Sequence, residues 1–157
     1  MPELLAAIRP DSVNLPLMIH VLGAMLLVGT LLAVTLVTVL GWRSPESAPG
    51  LSRYALKTLV LGVLPAYILM RIGAQWTEVE QDYPDDFEPG WLGIGYITAD
   101  IGALLILISL ILGAIGLRKL RAGGTGGVRF ARIVGVICIV LLAAYIVAVW
   151  AMTAKPT

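Results

Sequence analysis

One cysteine and one histidine occur in 157 residues, and charged residues make up only 13% of the chain. Each shortage excludes something. A lone cysteine, Cys138, rules out an intrachain disulfide and leaves the redox compartment open. A lone histidine, His20, rules out a metal-binding histidine pair and a haem held by two histidines of the same chain. Soluble domains carry about 25% charge and about 45–50% apolar residues. Here 59% of residues are hydrophobic and the mean hydropathy is +0.92. That places the chain among membrane proteins. No nucleophile–base motif or cofactor fingerprint is present, so an enzyme is not expected. The formal net charge of +1 gives no reason to expect a nucleic-acid partner.

Four apolar segments, near Leu15–Leu40, Tyr54–Ala74, Trp91–Leu117 and Phe130–Met152, reach the roughly 20 residues needed to cross a bilayer. The connections are too short for another domain, so residues 1–157 are expected to form one all-α, four-transmembrane-helix bundle. The first segment is expected to be retained. Its leader "MPELLAAIRPDSVN" has no basic n-region, and its apolar run exceeds the roughly 7–15 residues of a cleavable signal.

Charge placement gives an orientation. The connection after the first segment carries Arg43, Arg53 and Lys57, and the one after the third carries Arg118, Lys119, Arg121, Arg129 and Arg132. "TEVEQDYPDDFEPG", residues 77–90, has no Lys or Arg but holds Glu78, Glu80, Asp82, Asp85, Asp86 and Glu88. Basic flanks stay cytoplasmic, so both termini and the acidic loop are expected outside, an N-out/C-out topology. Trp76, Trp91 and Trp150 then mark the outer interface. The expected location is the inner (cytoplasmic) membrane of a bacterial cell, as a multi-pass protein whose partners are lipid and other membrane subunits or a second copy.

Two loops invite over-reading. "AGGTGG", residues 122–127, is glycine-rich, but neither a GK[ST] nor a preceding strand accompanies it, so a flexible cytoplasmic hairpin is expected and not a phosphate loop. The acidic loop lacks the Gly and terminal Glu of a calcium loop. "LGAMLL" in the first segment and "IGALLI" in the third align, which permits a two-hairpin duplication.

The informative residues are polar ones inside the spans: His20, Tyr67, Arg71, Asp100 and Tyr145. At about 1.5 Å per residue, His20 lies roughly 8 Å below the outer start of its helix and Asp100 roughly 13 Å below Trp91. Arg71 and Tyr145 each precede an outer tryptophan by five residues. All belong to one layer in the outer half of the bundle. His20 shares a helical face with Gly23, Ala24, Leu27, Leu31, Thr35 and Thr38, and Asp100 shares one with Gly93, Tyr96, Ala103 and Leu107. Both read as packing faces, because small residues admit close helix approach. Tyr67, Arg71 and Gln75 form a third polar stripe, and Cys138, Leu142, Tyr145 and Met152 a fourth. Buried charges must pair, so Arg71 is expected to meet Asp100. Pro65 removes one backbone donor beneath this layer and predicts a kink that widens the outer end into a vestibule.

"LPLMIHVLGAMLLVG" and "EPGWLGIGYI" resemble a group of small bacterial integral-membrane proteins whose first helix opens with a His-x-x-Gly-Ala pattern. The likeness is more distantly similar to the membrane domain of CopD-type copper-resistance proteins. It implies a four-helix membrane module and brings copper or haem into view, with His20 as the metal ligand. This chain departs from a copper pathway in having one histidine and no Met-x-x-Met cluster.

Three function classes follow. The first is a non-enzymatic structural or accessory membrane subunit with a buried polar network of His20, Tyr67, Arg71, Asp100 and Tyr145, and no cofactor. The second is a binding or transport module for a small solute, proton or copper. In it His20 is ligand or proton carrier, Asp100 its counter-charge and Arg71 an anion clamp, with Met18, Met25, Cys138 and Met152 as soft atoms for Cu(I). The third is an electron-transfer protein with haem on His20.

Overall fold

The computed structural model describes residues 11–81, 89–123 and 126–155. Four helices, each long and apolar enough to cross a membrane, run α1 Asp11–Arg43, α2 Ala48–Gln81, α3 Gly90–Arg121 and α4 Gly126–Ala154. A short 3-10 turn, Pro45–Ser47, joins the first two. Of the expected acidic loop, Asp82, Asp85, Asp86 and Glu88 lie outside the described residues, as do Gly124 and Thr125 of the glycine-rich connection.

Every helix is longer than its apolar segment. Lengths of 33, 34, 32 and 29 residues correspond to about 44–51 Å, against roughly 30 Å of hydrocarbon. The excess follows from charge and turn chemistry that favour continued helix past the lipid. Asp11 sits in the first turn of α1 and Arg43 in its last. Arg118, Lys119 and Arg121 fill the last turn of α3. Acids at helix starts and bases at helix ends suit the helix dipole. α3 ends at Arg121, and two residues on Gly123 has a φ of 74°, the left-handed conformation that glycine adopts freely.

Ahead of Pro65 the backbone of α2 departs from regular α-helix. The helix opens instead into a π-helical turn over Leu59–Val63, and the Leu64 N–H donates to the Leu59 carbonyl five residues back. The extra residue absorbs the missing donor just ahead of the proline, so α2 continues to Gln81.

Close approaches between helices fix the topology. Gly23 faces Met70 and Gly62 faces Thr30, while Gly102 faces Tyr145 and Gly116 faces Phe130. In each pair one number rises as the other falls, so α1–α2 and α3–α4 are antiparallel hairpins. Gly135 on α4 meets Thr38 and Trp42 on α1, which joins the hairpins. The core between them holds Leu27, Leu31, Val34, Leu59, Val63, Ile106, Cys138 and Leu141. Lipid tails are as apolar as these side chains, so association rests on packing and polar ties more than on the hydrophobic effect.

The fourth seam, α2 against α3, is different. Near the basic connections the two helices pack through Leu56 and Gly113. Over Leu64–Gln81, α2 leans on α1, and its backbone approaches that of α3 at few places. Two small cavities lie at the basic end, of about 20 Å³ and 10 Å³, and share Thr38, Ser52 and Ala131 in their walls. Neither lies in the polar layer, and even the larger has room for little more than one water.

Candidate functional site

The seam where α2 and α3 part is bridged by polar side chains. Tyr67 Oη donates to the Ala99 carbonyl at 3.2 Å. Four residues along α2, Arg71 Nη2 donates to Asp100 Oδ1 at 2.8 Å, and the Arg71 guanidinium carbon stands 5.4 Å from the centre of the Tyr96 ring. Farther toward the tryptophan end, the Tyr96 hydroxyl donates to Glu78. Three α2 residues, Tyr67, Arg71 and Glu78, thus make a ladder to Ala99, Asp100 and Tyr96 on α3. Helical periodicity alone put Tyr67 and Arg71 on one stripe. Gln75, the third expected member of that stripe, is exposed.

His20 belongs to a different seam. Its Nδ1 lies 3.0 Å from the Met70 carbonyl across the α1–α2 contact. A carbonyl only accepts, so Nδ1 carries the hydrogen, and in the neutral ring Nε2 holds the free lone pair. Backbone packing places the ring there. A Cβ on Gly73 would collide with the His20 backbone, and a Cβ on Gly23 would collide with the Met70 backbone. The two glycines let α1 and α2 touch on either side of the histidine, the close approach that small residues permit in membrane helices. Gly23 stood out in the sequence beside His20; Gly73 did not, because its partner His20 lies fifty-three residues away.

Two expectations change. Asp100 is not buried: 65% of its side chain is exposed, against 24% for Arg71. Leu107, on the same helical face, is also exposed, at 55%. That face follows the edge of the α2–α3 seam and is not covered by another helix. Tyr145 is buried at 4% exposure, but its hydroxyl has no hydrogen-bond partner among the described residues. It is aimed at Gly102 on α3 and so misses the ladder. The expected five-residue network is therefore one ladder, one separate histidine tie and one unpartnered tyrosine.

The layer is also shallower than counting from the ends of the apolar segments suggests. A hydrocarbon layer of roughly 30 Å spans about 20 residues of helix. Centred on the observed helices, it puts His20, Arg71, Asp100 and Tyr145 roughly 5–8 Å inside one boundary. Glu78 then lies among the headgroups and Tyr96 at the boundary. The tryptophans of this end are tied locally: Trp76 Nε1 donates to Glu80 at 3.2 Å, and Lys155 stands over the Trp91 ring at 5.1 Å.

Among the described residues the donors that could hold copper do not gather around His20. Among the described residues no three His, Cys, Asp or Glu side chains group to hold a metal. The soft atoms are dispersed: Met18 and Met25 are 58% and 69% exposed, Cys138 is fully buried, and Met152 packs on Gly95. His20 stands at a close α1–α2 contact, where its backbone packs against Gly73. No family model, curated protein or solved structure matches this chain.

Proposed function

We propose that this protein is a non-enzymatic structural or accessory subunit of the bacterial inner membrane, in which the polar layer sets how the helices meet. The reading is carried by one observation. Tyr67, Arg71, Glu78, Tyr96, Asp100 and His20 all use hydrogen bonds to join one helix to another. A solute site would instead leave such groups lining a cavity, whereas the two small cavities described above lie at the other end of the bundle. The proposed orientation is N-out/C-out, with the basic connections cytoplasmic.

A second reading, a proton or small-solute carrier, draws support from His20 Nε2, for which no partner occurs among the described residues. His20→Gln separates the two. The amide keeps a donor for the Met70 carbonyl but does not titrate near neutral pH. A structural tie tolerates Gln, with the unfolding midpoint in detergent and the absorbance between 380 and 450 nm unchanged. A folded His20→Gln protein that has lost a pH-dependent response would establish the carrier reading, and loss of a bound chromophore would establish haem on His20 instead.

A further inference from the structure

Asp100 is the single acidic residue within the four apolar segments. It spends one oxygen on Arg71, and its second oxygen has no partner among the described residues. It stands in an exposed stripe of α3 comprising Gly93, Ile97, Asp100, Leu104, Leu107 and Ile111. The steps between these residues alternate four and three, the spacing of a seam between two helices. The apolar members need nothing but lipid. The carboxylate does need something, because a charge facing hydrocarbon is costly and pairs wherever a partner is in reach.

We propose that this α3 face, with the neighbouring edge of α2, is the interface between two copies of this chain. A two-fold axis along the bilayer normal keeps every residue at its own depth. It therefore brings Asp100 of each copy to the level of Arg71 in the other. Two carboxylates and two guanidiniums then alternate around the axis, with no net charge in the membrane. A different membrane helix would have to supply its own cation at this depth; a second copy already has one, since Arg71 is still 24% exposed. A single polar residue in an otherwise apolar seam fixes register and partner number. Room for the approach exists, because a Cβ on Gly93 would meet nothing within 4 Å. The interface rests on the structural reading above and names the partner for it.

The test uses the full chain with Cys138→Ala and single cysteines at Leu104 or Leu107 on the stripe, with Leu36 on α1 and Val149 on α4 as exposed controls. Oxidation in native membranes is expected to give a product of twice the 16.7 kDa chain mass from the stripe positions and not from the controls. Asp100→Asn is expected to raise the concentration for half-dissociation in detergent about three- to twentyfold, the span of one interhelical polar contact. The exchanged pair Arg71→Asp with Asp100→Arg should recover most of that loss. Cross-linking to a product of another mass, equal cross-linking at the controls, or an Asp100→Asn midpoint equal to wild type each overturns the dimer. Coupling of Arg71 and Asp100 in monomer stability without stripe cross-linking would sink the dimer while leaving the structural reading intact.

Discussion

The backbone of His20 fills the space where Gly73 would carry a side chain, and the Met70 backbone does the same to Gly23. Two helices with a histidine at their crossing are therefore held by missing atoms. Adding a methyl group at Gly73 or Gly23 forces the backbones apart and stretches the His20–Met70 hydrogen bond. Gly73→Ala and Gly23→Ala should each destabilise by about 1–3 kcal/mol, the usual cost of overpacking. Gly29, whose Cβ would meet nothing within 4 Å, is the control: Gly29→Ala should stay within about 0.5 kcal/mol of wild type. Reversible unfolding in mixed detergent reads all three, and equal losses at Gly29 and Gly73 would refute the contact.

Arg71 and Asp100 should be coupled, but modestly. Removing one member of a fully buried pair costs about 3–5 kcal/mol, and the sequence alone invites that figure. With Asp100 65% exposed, interhelical polar contacts in membranes are the better guide, averaging about 0.6 and reaching about 1.7 kcal/mol. Asp100→Asn and Arg71→Gln should each lower stability, and the double variant should lose less than their sum by about that amount. Strict additivity in the double-mutant cycle would mean that the 2.8 Å contact contributes nothing.

Much of this was legible in the residues. Hydropathy located four helices, and the phase of His20, Gly23, Leu27 and Leu31 named a face that is buried or half-buried throughout. The exposure of Asp100 was not legible, because periodicity says which residues share a face and not what covers it. Tyr145 shows the same limit. Its depth put it in the polar layer, but its side chain turns toward Gly102, a pairing forty-three positions apart. Gly73 and the Tyr96–Glu78 contact also depend on helix pairing and have no local signature.

The two tyrosines offer a matched comparison. Tyr67 Oη donates to the Ala99 carbonyl, whereas Tyr145 Oη is buried without a partner. Losing a satisfied interhelical bond costs about 0.6 kcal/mol on average in membranes, and removing an unsatisfied buried group is neutral or favourable. Tyr67→Phe should therefore destabilise, and Tyr145→Phe should be neutral or stabilising by up to about 1 kcal/mol. The ordering of their unfolding midpoints decides the point. A larger loss at Tyr145 would restore it to the polar network.

The last prediction concerns sidedness. Arg43, Arg53, Lys57, Arg118, Lys119, Arg121, Arg129 and Arg132 cluster at one end of the bundle, with Glu46 the acidic residue among the connections there. The opposite end carries Asp11, Glu78 and Glu80, with Lys155 seated over Trp91. The proposed orientation, with positive flanks cytoplasmic, puts Ala122 inside and Lys155 outside. Both positions are exposed, so a cysteine at either one is accessible to reagent. In a Cys138→Ala background, an impermeant maleimide should label Lys155→Cys in intact cells and label Ala122→Cys only after the membrane is opened. The reverse pattern would invert the bundle and put the Arg71–Asp100 ladder on the cytoplasmic side.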